Sequence, residues 1–426
     1  MSGRRTFFVE TLGCPKNQVD SDKLVGILLA DGLTPALAPE AADLVVVNTC
    51  AFIEEARQES IDVVLALAER KHADAELVVT GCMAERYGEE LAGALPEVDA
   101  VAGFGVPITL GRKPGGTPLP AFDLLNLPRP ASAVPWAYVK VAEGCDKACG
   151  FCAIPSFRGP QRSRSFDQIL AEVDELVAGG SKEIVLVAQD LASYGRDQGV
   201  GTKDLVPLID LVSQRARRVR LLYLYPSELT ERLVAAIMAT GVPYFDLSLQ
   251  HVSAPLLRRM RRWGDGTRFL ERVEAIRALE PTAAFRSNFI VGYPGETEDD
   301  HDQLLAFVEA AQLDWCGFFA YSREEGTFAA DLDGAVPTAL MGERLAELRQ
   351  AQDTITASRR DDLIGSSVEV LVDAPGVGRS HREAPEIDGI ITVPGSLAVG
   401  QLATVRITGA EGPDLFGEPM ALERSQ

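Results

Sequence analysis

Three cysteines stand close together in the chain, at Cys145, Cys149 and Cys152. The gaps of three and then two residues let one short loop present three thiolates to one face of a small metal cluster. Thiolates are soft ligands that suit iron–sulfur clusters and zinc, and three local ligands leave a fourth metal corner open for chemistry. A zinc loop with a distant fourth ligand is the plainer alternative, but the spacing favours an iron–sulfur cluster.

A second set of cysteines, Cys14, Cys50 and Cys82, lies upstream at wide spacing. Each follows the end of a short apolar run that is typical of a strand. Because parallel strands place their carboxyl ends along one edge of a sheet, we expect these three thiols to converge there. Spacing alone equally allows three ordinary core cysteines. The seventh cysteine, Cys316, lies on an apolar strand and is assigned to the core.

The elements that must position the upstream cysteines alternate between short Val- and Phe-rich runs and amphipathic stretches. The apolar runs cover residues 6–11, 43–48 and 76–80. This βαβα pattern predicts an N-terminal parallel α/β domain. The segment that follows, residues 103–135, is dense in Gly and Pro, which is typical of a linker.

Six further strand-plus-helix units are predicted beyond the linker. Their strands lie near residues 138–141, 183–187, 219–224, 244–249, 285–291 and 316–320. Six such units are too few for a closed eight-stranded barrel, so we predict an open, partial (β/α)6 barrel of the TIM type. One of its helices, at residues 166–178, begins with a predicted capping box of Ser165 and Gln168.

The hydrophobic period changes from helical to alternating near residue 361. Three short strands, at residues 367–373, 387–393 and 402–408, predict a small antiparallel β-barrel. The sequence therefore predicts three domains, with limits at residues 1–125, 135–360 and 361–426.

The composition is acidic, with 41 Lys and Arg against 62 Asp and Glu and a formal charge of −21. Such a chain repels phosphate backbones, which argues against nucleic acid as its partner. Apolar residues make up 46% of the sequence, enough to exclude disorder as the dominant state. We expect a soluble cytoplasmic protein without membrane contact, because no apolar run approaches the roughly 18 residues of a spanning helix. Seven thinly spread cysteines also do not fit a secreted disulfide framework.

The loop at residues 145–152 resembles the signature of radical S-adenosylmethionine (SAM) enzymes, in which three thiolates hold a 4Fe–4S cluster whose free iron binds the cofactor. With the upstream cysteines and the final small barrel, the whole chain resembles the methylthiotransferase family of these enzymes. The resemblance implies a second 4Fe–4S cluster on Cys14, Cys50 and Cys82. It also implies that the C-terminal barrel is a TRAM domain.

Three local sequences are similar to the branch of this family that modifies an aspartate of the small-subunit ribosomal protein S-twelve. They are LGCPKN at residues 12–17, IPSFRG at residues 154–159 and LQHVS at residues 249–253. The branch that modifies an adenosine of transfer RNA differs at the first and the third.

Charge supports the protein substrate independently of these motifs. Residues 361–426 carry 4 basic and 11 acidic side chains, whereas a domain that grips RNA should be basic. A domain that serves only for packing is the plainer explanation of this segment. The two rival functions are a transfer RNA methylthiotransferase and a non-catalytic iron–sulfur or zinc protein.

The resemblance implies a reaction with two molecules of SAM. One methylates sulfur held at the upstream cluster. The other is cleaved at the loop cluster with an electron from an external donor, and its radical takes hydrogen from the β-carbon of the target aspartate, which then receives the methylthio group. A radical is needed because that C–H bond is unactivated and beyond acid–base chemistry. The sequence does not indicate the sulfur source, the oligomeric state or the residues that grip the substrate.

Five residues are candidate SAM contacts: Arg162, Arg164, Gln189, Gly292 and Glu296. The two arginines follow the cysteine loop and match a carboxylate in geometry; alternatively they are solvated flanks of Ser165 at a helix start. The glutamine ends the second barrel strand beside Asp190, at an edge where barrel sites gather. The last two lie in a VGYPGET turn that lets backbone approach a ligand closely, or that simply caps a helix.

Two further groups of polar residues, one of arginines and one of histidines, are assigned mainly to the protein surface. Arg258, Arg259, Arg261 and Arg262 have helical spacing, which predicts a solvated helix face. Of the four histidines, only His251 lies in a suggestive motif, and the other three, His72, His301 and His381, are predicted at the surface.

Overall fold

The computed structural model describes residues 5–111, 121–198 and 205–420, so that residues 112–120 of the predicted linker lie outside the description. The N-terminal elements are β1 (Thr6–Thr11), α1 (Pro15–Ala30), β2 (Thr34–Pro35), β3 (Leu44–Thr49), α2 (Glu54–Arg70), β4 (Glu76–Gly81), α3 (Cys82–Ala94) and β5 (Ala100–Val101). The strands form a parallel sheet in the order β2-β1-β3-β4-β5. The central strand β3 is buried along its whole length, which explains its continuous run of valines.

The central elements begin with α4 (Ala121–Leu124), β6 (Trp136–Lys140), β7 (Ala142–Glu143), α5 (Ile154–Arg158), β8 (Arg162–Ser163), α6 (Phe166–Ala178), β9 (Glu183–Val187), α7 (Leu205–Ser213) and β10 (Arg218–Leu221). They continue with α8 (Glu231–Ala239), β11 (Tyr244–Gln250), α9 (Ala254–Arg259), α10 (Gly266–Leu279), β12 (Ala284–Val291), α11 (Glu298–Ala311), β13 (Trp315–Ala320) and α12 (Thr338–Asp361). No helix in the described ranges is both long and apolar enough to cross a membrane.

The six predicted barrel strands are all present and parallel. They form two sheets, β6-β9-β10 and β11-β12-β13, which an isolated parallel bridge between Leu224 and Leu247 connects. The prediction of an open, partial barrel is therefore confirmed. The capping box of Ser165 and Gln168 is also confirmed at the start of α6.

The N-terminal domain packs onto the open side of the barrel. Helix α1 lies against β6, which is an edge strand of the six. Val19 of α1 is completely buried in one cluster with Trp136 and Tyr138 of that strand. This contact brings the carboxyl edge of the N-terminal sheet close to the mouth of the barrel.

The C-terminal elements are β14 (Ser367–Ala374), β15 (Val377–Arg379), β16 (Ile391–Thr392), β17 (Leu402–Glu411) and β18 (Asp414–Pro419). They close a small barrel in the order β14-β15-β16-β18-β17, in which β16 and β18 pair in parallel and the other neighbours are antiparallel. Its inner face is apolar and buried.

The loop after β15 plugs the amino-terminal end of the central barrel. Ala384 of this loop packs among the first residues of the barrel strands, including Tyr244 and Ala284. The Trp315 indole donates a hydrogen bond of 2.7 Å to the carbonyl of Arg382. One end of the barrel is thus closed by the C-terminal domain, which leaves the carboxyl end of the strands for the site.

Candidate active site

The upstream cysteines lie at the carboxyl ends of three strands, as their position after apolar runs predicted. Cys14 precedes α1, Cys50 follows β3 and Cys82 is the first residue of α3. Gly13 has φ +94°, and a Cβ added there would lie 2.9 Å from the Cβ of Cys50. Glycine is therefore required at this position, both by the backbone conformation and by the close approach of the two cysteine loops.

Asn17 holds the upstream loops together. Its side-chain amide donates hydrogen bonds to the carbonyls of Leu12 at 2.9 Å and Thr49 at 3.1 Å, so it joins the ends of β1 and β3. Its Oδ1 atom lies 3.5 Å from the Cys82 Sγ. The last residue of LGCPKN thus contacts the loops or side chains that carry all three upstream thiols.

The loop cysteines follow β7 at the mouth of the barrel. Gly144 precedes them with φ +79°, and a Cβ there would meet the Pro160 carbonyl oxygen at 2.2 Å. The Cys145 N–H donates to the Gly159 carbonyl at 3.1 Å. A glycine is again needed where the chain folds back on itself, so the loop presents its thiols from a tightly fixed turn.

Both sets of cysteines line the same cavity, which has a volume of about 460 Å³. The sequence predicted each set separately, and the structure places both in the wall of one cavity between the N-terminal domain and the barrel. The remaining wall is largely aromatic or apolar, with Phe52, Phe151, Phe157, Tyr223, Tyr225, Ile290, Phe319 and Tyr321 among the lining residues. This wall gives the space between the two sets of thiols a largely apolar lining.

Arg158 of the IPSFRG motif connects the upstream cysteines to the turn that precedes the cysteine loop. Its guanidinium donates to the Cys82 Sγ at 3.1 Å and to the Asn17 Oδ1 at 2.9 Å. The same group pairs with Asp20 at 3.0 Å and with Glu143 at 3.1 Å. Glu143 immediately precedes the cysteine loop turn, so one buried cation joins that turn to an upstream cysteine. The sequence reasoning used this arginine only as part of a motif.

Arg262 is the second functional residue that sequence reasoning missed. The prediction of a solvated helix face at residues 258–262 is wrong for Arg262, which is buried and lines the cavity. Helix α9 ends at Arg259, and Arg261 has φ +55°, so the chain turns inward. The Arg262 guanidinium donates to the Cys149 Sγ at 3.1 Å and lies 4.3 Å from the ring centroid of Tyr225.

Burial controls the acidity of most of the cysteine thiols. It raises the pKa of Cys145 to about 11 and the pKa of both Cys50 and Cys152 to about 12. Burial would also raise the pKa of Cys14, but Lys16, Arg158 and backbone N–H groups outweigh it, and that pKa lies below its usual value. Most of these thiols therefore need the positive charge of a bound metal to become thiolates.

The donor set and the unpartnered polar atoms fit a cluster with an adjacent ligand. Gln189 Oε1, Asp190 Oδ1, Asn288 Oδ1 and Tyr321 OH line the cavity, are buried, and have no hydrogen-bond partner within the described residues. Buried polar groups are normally satisfied, so these atoms are suited to a bound molecule. No three His, Cys, Asp or Glu side chains in the described ranges are placed to hold one metal ion. In a 4Fe–4S cluster, by contrast, each thiolate binds a different iron.

The five candidate SAM contacts occupy different environments. Gln189 lines the cavity, where its amide donates to Glu143 at 2.9 Å. Glu296 accepts hydrogen bonds from the Gly292 and Tyr293 N–H groups and pairs with Arg344 at 2.7 Å, so it fixes its own turn. Gly292 and Glu296 are not among the residues that line the cavity.

The two candidate arginines also lie away from the cavity. Arg164 is buried and bonds to the Lys140 carbonyl at 2.9 Å and to Glu172 at 2.8 Å. Arg162 is exposed on β8 and pairs through its backbone with Glu143. Direct contact of these residues with a cofactor stays a prediction.

The histidines and Cys316 lie outside the cavity lining. His251 is fully buried, its Nδ1 accepts a hydrogen bond from the Ser253 N–H, and burial lowers its pKa to about 4. The prediction of a surface position is wrong for His301, which is only 2% exposed and pairs with Glu347 at 2.8 Å. Cys316 packs half-buried against the hydrophobic core of the barrel, as expected.

Comparison with known families identifies all three parts of the chain. Residues 6–103 match the Uncharacterized protein family UPF0004, residues 139–308 match the Radical SAM superfamily and residues 364–420 match the TRAM domain. The partial barrel and its cysteine loop thus define a radical SAM enzyme, which uses SAM and a 4Fe–4S cluster.

Several relatives match over nearly the whole chain. A protein of Moorella thermoacetica is 43% identical over 94% of this chain and 96% of its own length. One of Kineococcus radiotolerans is 40% identical over 98% and 97%, and one of Salinispora tropica is 42% identical over 99% and 96%. Each is named ribosomal protein uS12 methylthiotransferase RimO. The chain belongs to this RimO family, which confirms the resemblance drawn from its motifs.

Solved structures share the fold at low sequence identity. The radical SAM methyltransferase TsrM from Kitasatospora setae, with cobalamin and a 4Fe–4S cluster bound, has a TM-score of 0.51 at 15% identity and covers 93% of this chain and 84% of its own. The cobalamin-dependent radical SAM enzyme OxsB has a TM-score of 0.50 at 12% identity, and the match spans 83% of this chain and 58% of OxsB. These likenesses concern the fold alone.

Proposed function

We propose that this chain transfers a methylthio group to the β-carbon of an aspartate in ribosomal protein uS12, and that each set of three cysteines holds a 4Fe–4S cluster. The observation that carries the proposal is the single cavity lined by all six cysteines. A reaction that cleaves SAM at one cluster and delivers sulfur from another requires both to reach the same substrate carbon. The names of the relatives supply the substrate.

The protein's own contribution is to position and shield the reacting groups. When bound, the loop cluster supplies the electron that cleaves SAM and generates a radical able to attack an unactivated C–H bond. The aromatic wall keeps water and stray hydrogen donors away from that radical. Gln189 and Asp190, with their unpartnered oxygens, are suited to orient SAM beside the loop cysteines. Arg158 donates a hydrogen bond to the Cys82 sulfur and Arg262 donates one to the Cys149 sulfur. Each arginine thus helps to fix the position of one cysteine set in the cavity wall.

The C-terminal domain supports a basic protein as the partner. Two of its arginines, Arg379 and Arg382, are buried and face the central barrel, where they pair with Glu183 and Asp314. Among its described residues this leaves Arg406 as the exposed arginine. Exposed acidic residues include Asp361, Asp362, Glu369, Glu386, Glu411 and Glu418. Such a surface attracts a basic protein and repels RNA phosphates.

The domain limits at residues 1–125, 135–360 and 361–426 belong to the same proposal. The three family matches, which fall inside these limits, support them. We further propose that the electron comes from an external donor and that the enzyme acts in the cytoplasm, where ribosomal proteins are found.

Product analysis tests the substrate. Enzyme reconstituted with iron and sulfide, reduced anaerobically and supplied with SAM is incubated in parallel with uS12 and with transfer RNA. We expect uS12 to gain the mass of one methylthio group in place of one hydrogen, with no change in the RNA. A methylthiolated adenosine with unmodified uS12 would assign the enzyme to the rival branch.

Iron analysis tests the two clusters. We expect about eight irons per reconstituted chain, the content of two 4Fe–4S clusters, and loss of about half of them in Cys14→Ala. Cys316→Ala is the matched control, because its thiol lies outside the cavity lining, and should keep the full content. Zinc in place of iron, or full iron in Cys14→Ala, would refute the second cluster.

A further inference from the structure

Lys16 is a buried cation at the centre of the candidate site. It is the second residue after Cys14, only 7% of its surface is exposed, and it lines the shared cavity. Its Nζ lies 3.2 Å from the ring centroid of Tyr223. Lys16 therefore crosses from the N-terminal domain to the mouth of the barrel, where its ammonium rests on an aromatic face.

The other cations of the cavity are already engaged. Lys147 pairs with Asp190 at 3.5 Å and Glu228 at 3.2 Å. Arg158 and Arg262 have the bonds described above, the former to two carboxylates and the latter to a cysteine sulfur and the Ser248 carbonyl. The Lys16 side chain, in contrast, has no hydrogen bond or ion pair among the described residues, and its ammonium only lies over the Tyr223 ring. It is the cavity cation available to an anionic group of a ligand.

The support for Lys16 is itself held in a strained conformation. Tyr223 has φ +66°, a region that bulky residues rarely adopt. Its N–H donates to Asp246 at 2.9 Å, and its carbonyl accepts from the Leu191 N–H at 3.2 Å. Backbone strain of this kind persists where the surroundings enforce it, commonly at functional sites. The fold thus maintains a ring beneath an ammonium that interacts through space with Cys14 and Asp246 and has no side-chain hydrogen bond among the described residues.

A buried ammonium without a directly bonded counter-ion is costly, and a carboxylate at hydrogen-bond distance lowers that cost. The two carboxylates that line the cavity are both taken, since Asp190 pairs with Lys147 and Glu324 pairs with Arg57 and Arg86 at 2.6 Å each. Cys14 and Asp246 act on Lys16 through space, so a carboxylate bonded directly to its ammonium would come from a ligand. Lys16 extends from the upstream cysteine loop. Lys147 and Arg262, in contrast, lie in or contact the loop at residues 145–152, where SAM is expected to bind.

We propose that Lys16 binds the side-chain carboxylate of the substrate aspartate and so orients its β-carbon between the two sets of cysteines. This inference rests on the proposed function and deepens it, since it makes Lys16 a specificity-determining residue for an acidic side chain. An asparagine at the same place in uS12 would lack the charge that Lys16 recognises.

The test compares binding of two forms of uS12, one native and one with the modified aspartate replaced by asparagine. Dissociation constants are measured with SAM present and reductant omitted, so that no turnover occurs. The variants are Lys16→Met, which keeps length without charge, Lys16→Arg, which keeps charge, and Lys71→Met, the matched control outside the cavity. Iron content and SAM cleavage are measured on each preparation.

We expect the native enzyme to prefer the aspartate form and Lys16→Met to bind that form roughly 30-fold or more weakly, as for loss of one partner of a buried charge pair. Lys16→Met should no longer distinguish aspartate from asparagine, whereas Lys16→Arg should retain a preference and Lys71→Met should match the native enzyme. Iron content should be unchanged throughout.

Two results would overturn the assignment of Lys16. The first is a Lys16→Met enzyme with full iron that still prefers the aspartate form. The second is loss of the upstream iron in Lys16→Met, which would make the lysine a partner of that cluster. Failure of the native enzyme to modify uS12 at all would instead refute the proposed function.

Discussion

Glu183 provides a quantitative test of how the C-terminal domain is joined to the catalytic barrel. It is the first residue of β9, and its carboxylate is completely buried. It accepts a hydrogen bond from Arg220 at 2.6 Å and pairs with Arg379 of the C-terminal barrel at 3.4 Å. Replacement by glutamine keeps the shape and removes the charge, which leaves these two guanidinium groups without their common counter-ion.

The expected loss of folding stability in Glu183→Gln follows from the pKa of Glu183. Burial alone would raise the pKa of Glu183, but Arg220, Arg379 and Arg218 outweigh it and lower the pKa from the usual 4.5 to about 2. At about 1.4 kcal/mol for each pH unit, the ionised carboxylate stabilises the fold by about 3 kcal/mol. Breaking a buried ion pair on one side typically costs about 3 to 5 kcal/mol. The two estimates agree near 3 kcal/mol.

The pH dependence has a definite sign. Because the folded pKa is depressed, the stabilisation is complete above the unfolded pKa and declines as the pH falls from about 5 towards 2. The difference in free energy of unfolding between the native chain and Glu183→Gln should therefore be constant from pH 6 to 8 and shrink below about pH 5.

Tryptophan fluorescence during anaerobic urea unfolding measures this difference, because Trp136 and Trp315 lie at the same interface. Glu175→Gln, on the exposed face of α6, is the matched control and should leave the transition unchanged. If the free energy of unfolding of Glu183→Gln is lower by less than about 0.5 kcal/mol, the usual effect of a surface substitution, the proposed role of Glu183 is refuted.

Two further predictions concern the surroundings of the cysteines. Arg262→Met should keep its iron but cleave SAM about tenfold or more slowly, because loss of a partner of a metal ligand typically lowers activity by that factor. Arg258 is exposed, so the control Arg258→Met should cleave SAM at the native rate. Equal rates of SAM cleavage in the two variants would contradict the role of Arg262. Gly13→Ala should lose about half of its iron, the share of one of the two clusters, because its Cβ would press on Cys50. A Cβ added at Gly93 on α3 would meet open space, so Gly93→Ala should keep the full iron content. Full iron content in Gly13→Ala as well would show that the Cys14 loop tolerates the added side chain.

Local patterns were sufficient to predict the longer strands and the convergence of the upstream cysteines, whereas the role of those cysteines as cluster ligands rested on the family resemblance. Continuous valine runs predicted buried parallel strands, and cysteines placed just after them predicted a shared edge. The pairing of the two cysteine sets across one cavity depends on α1 packing against β6, a contact between distant segments that no local pattern encodes.

The errors have equally specific causes. Arg262 was predicted on a solvated helix face because its spacing is helical, but the helix ends at Arg259 and a left-handed residue redirects the chain inward. His301 was placed at the surface because it lies in no suggestive motif, whereas α11 packs this side of the helix against α12. The plug formed by residues 380–388 could not be predicted either, because it is stabilised by side chains of the central barrel.

The most direct test of the central proposal follows one hydrogen atom. Reconstituted enzyme is given SAM, a reductant and uS12 carrying deuterium on the β-carbons of its aspartates, and the masses of uS12 and 5′-deoxyadenosine are measured. We expect the modified aspartate to lose one deuterium and gain one methylthio group, with the deuterium recovered in 5′-deoxyadenosine. Unlabelled 5′-deoxyadenosine together with unmodified uS12 would contradict the proposed reaction.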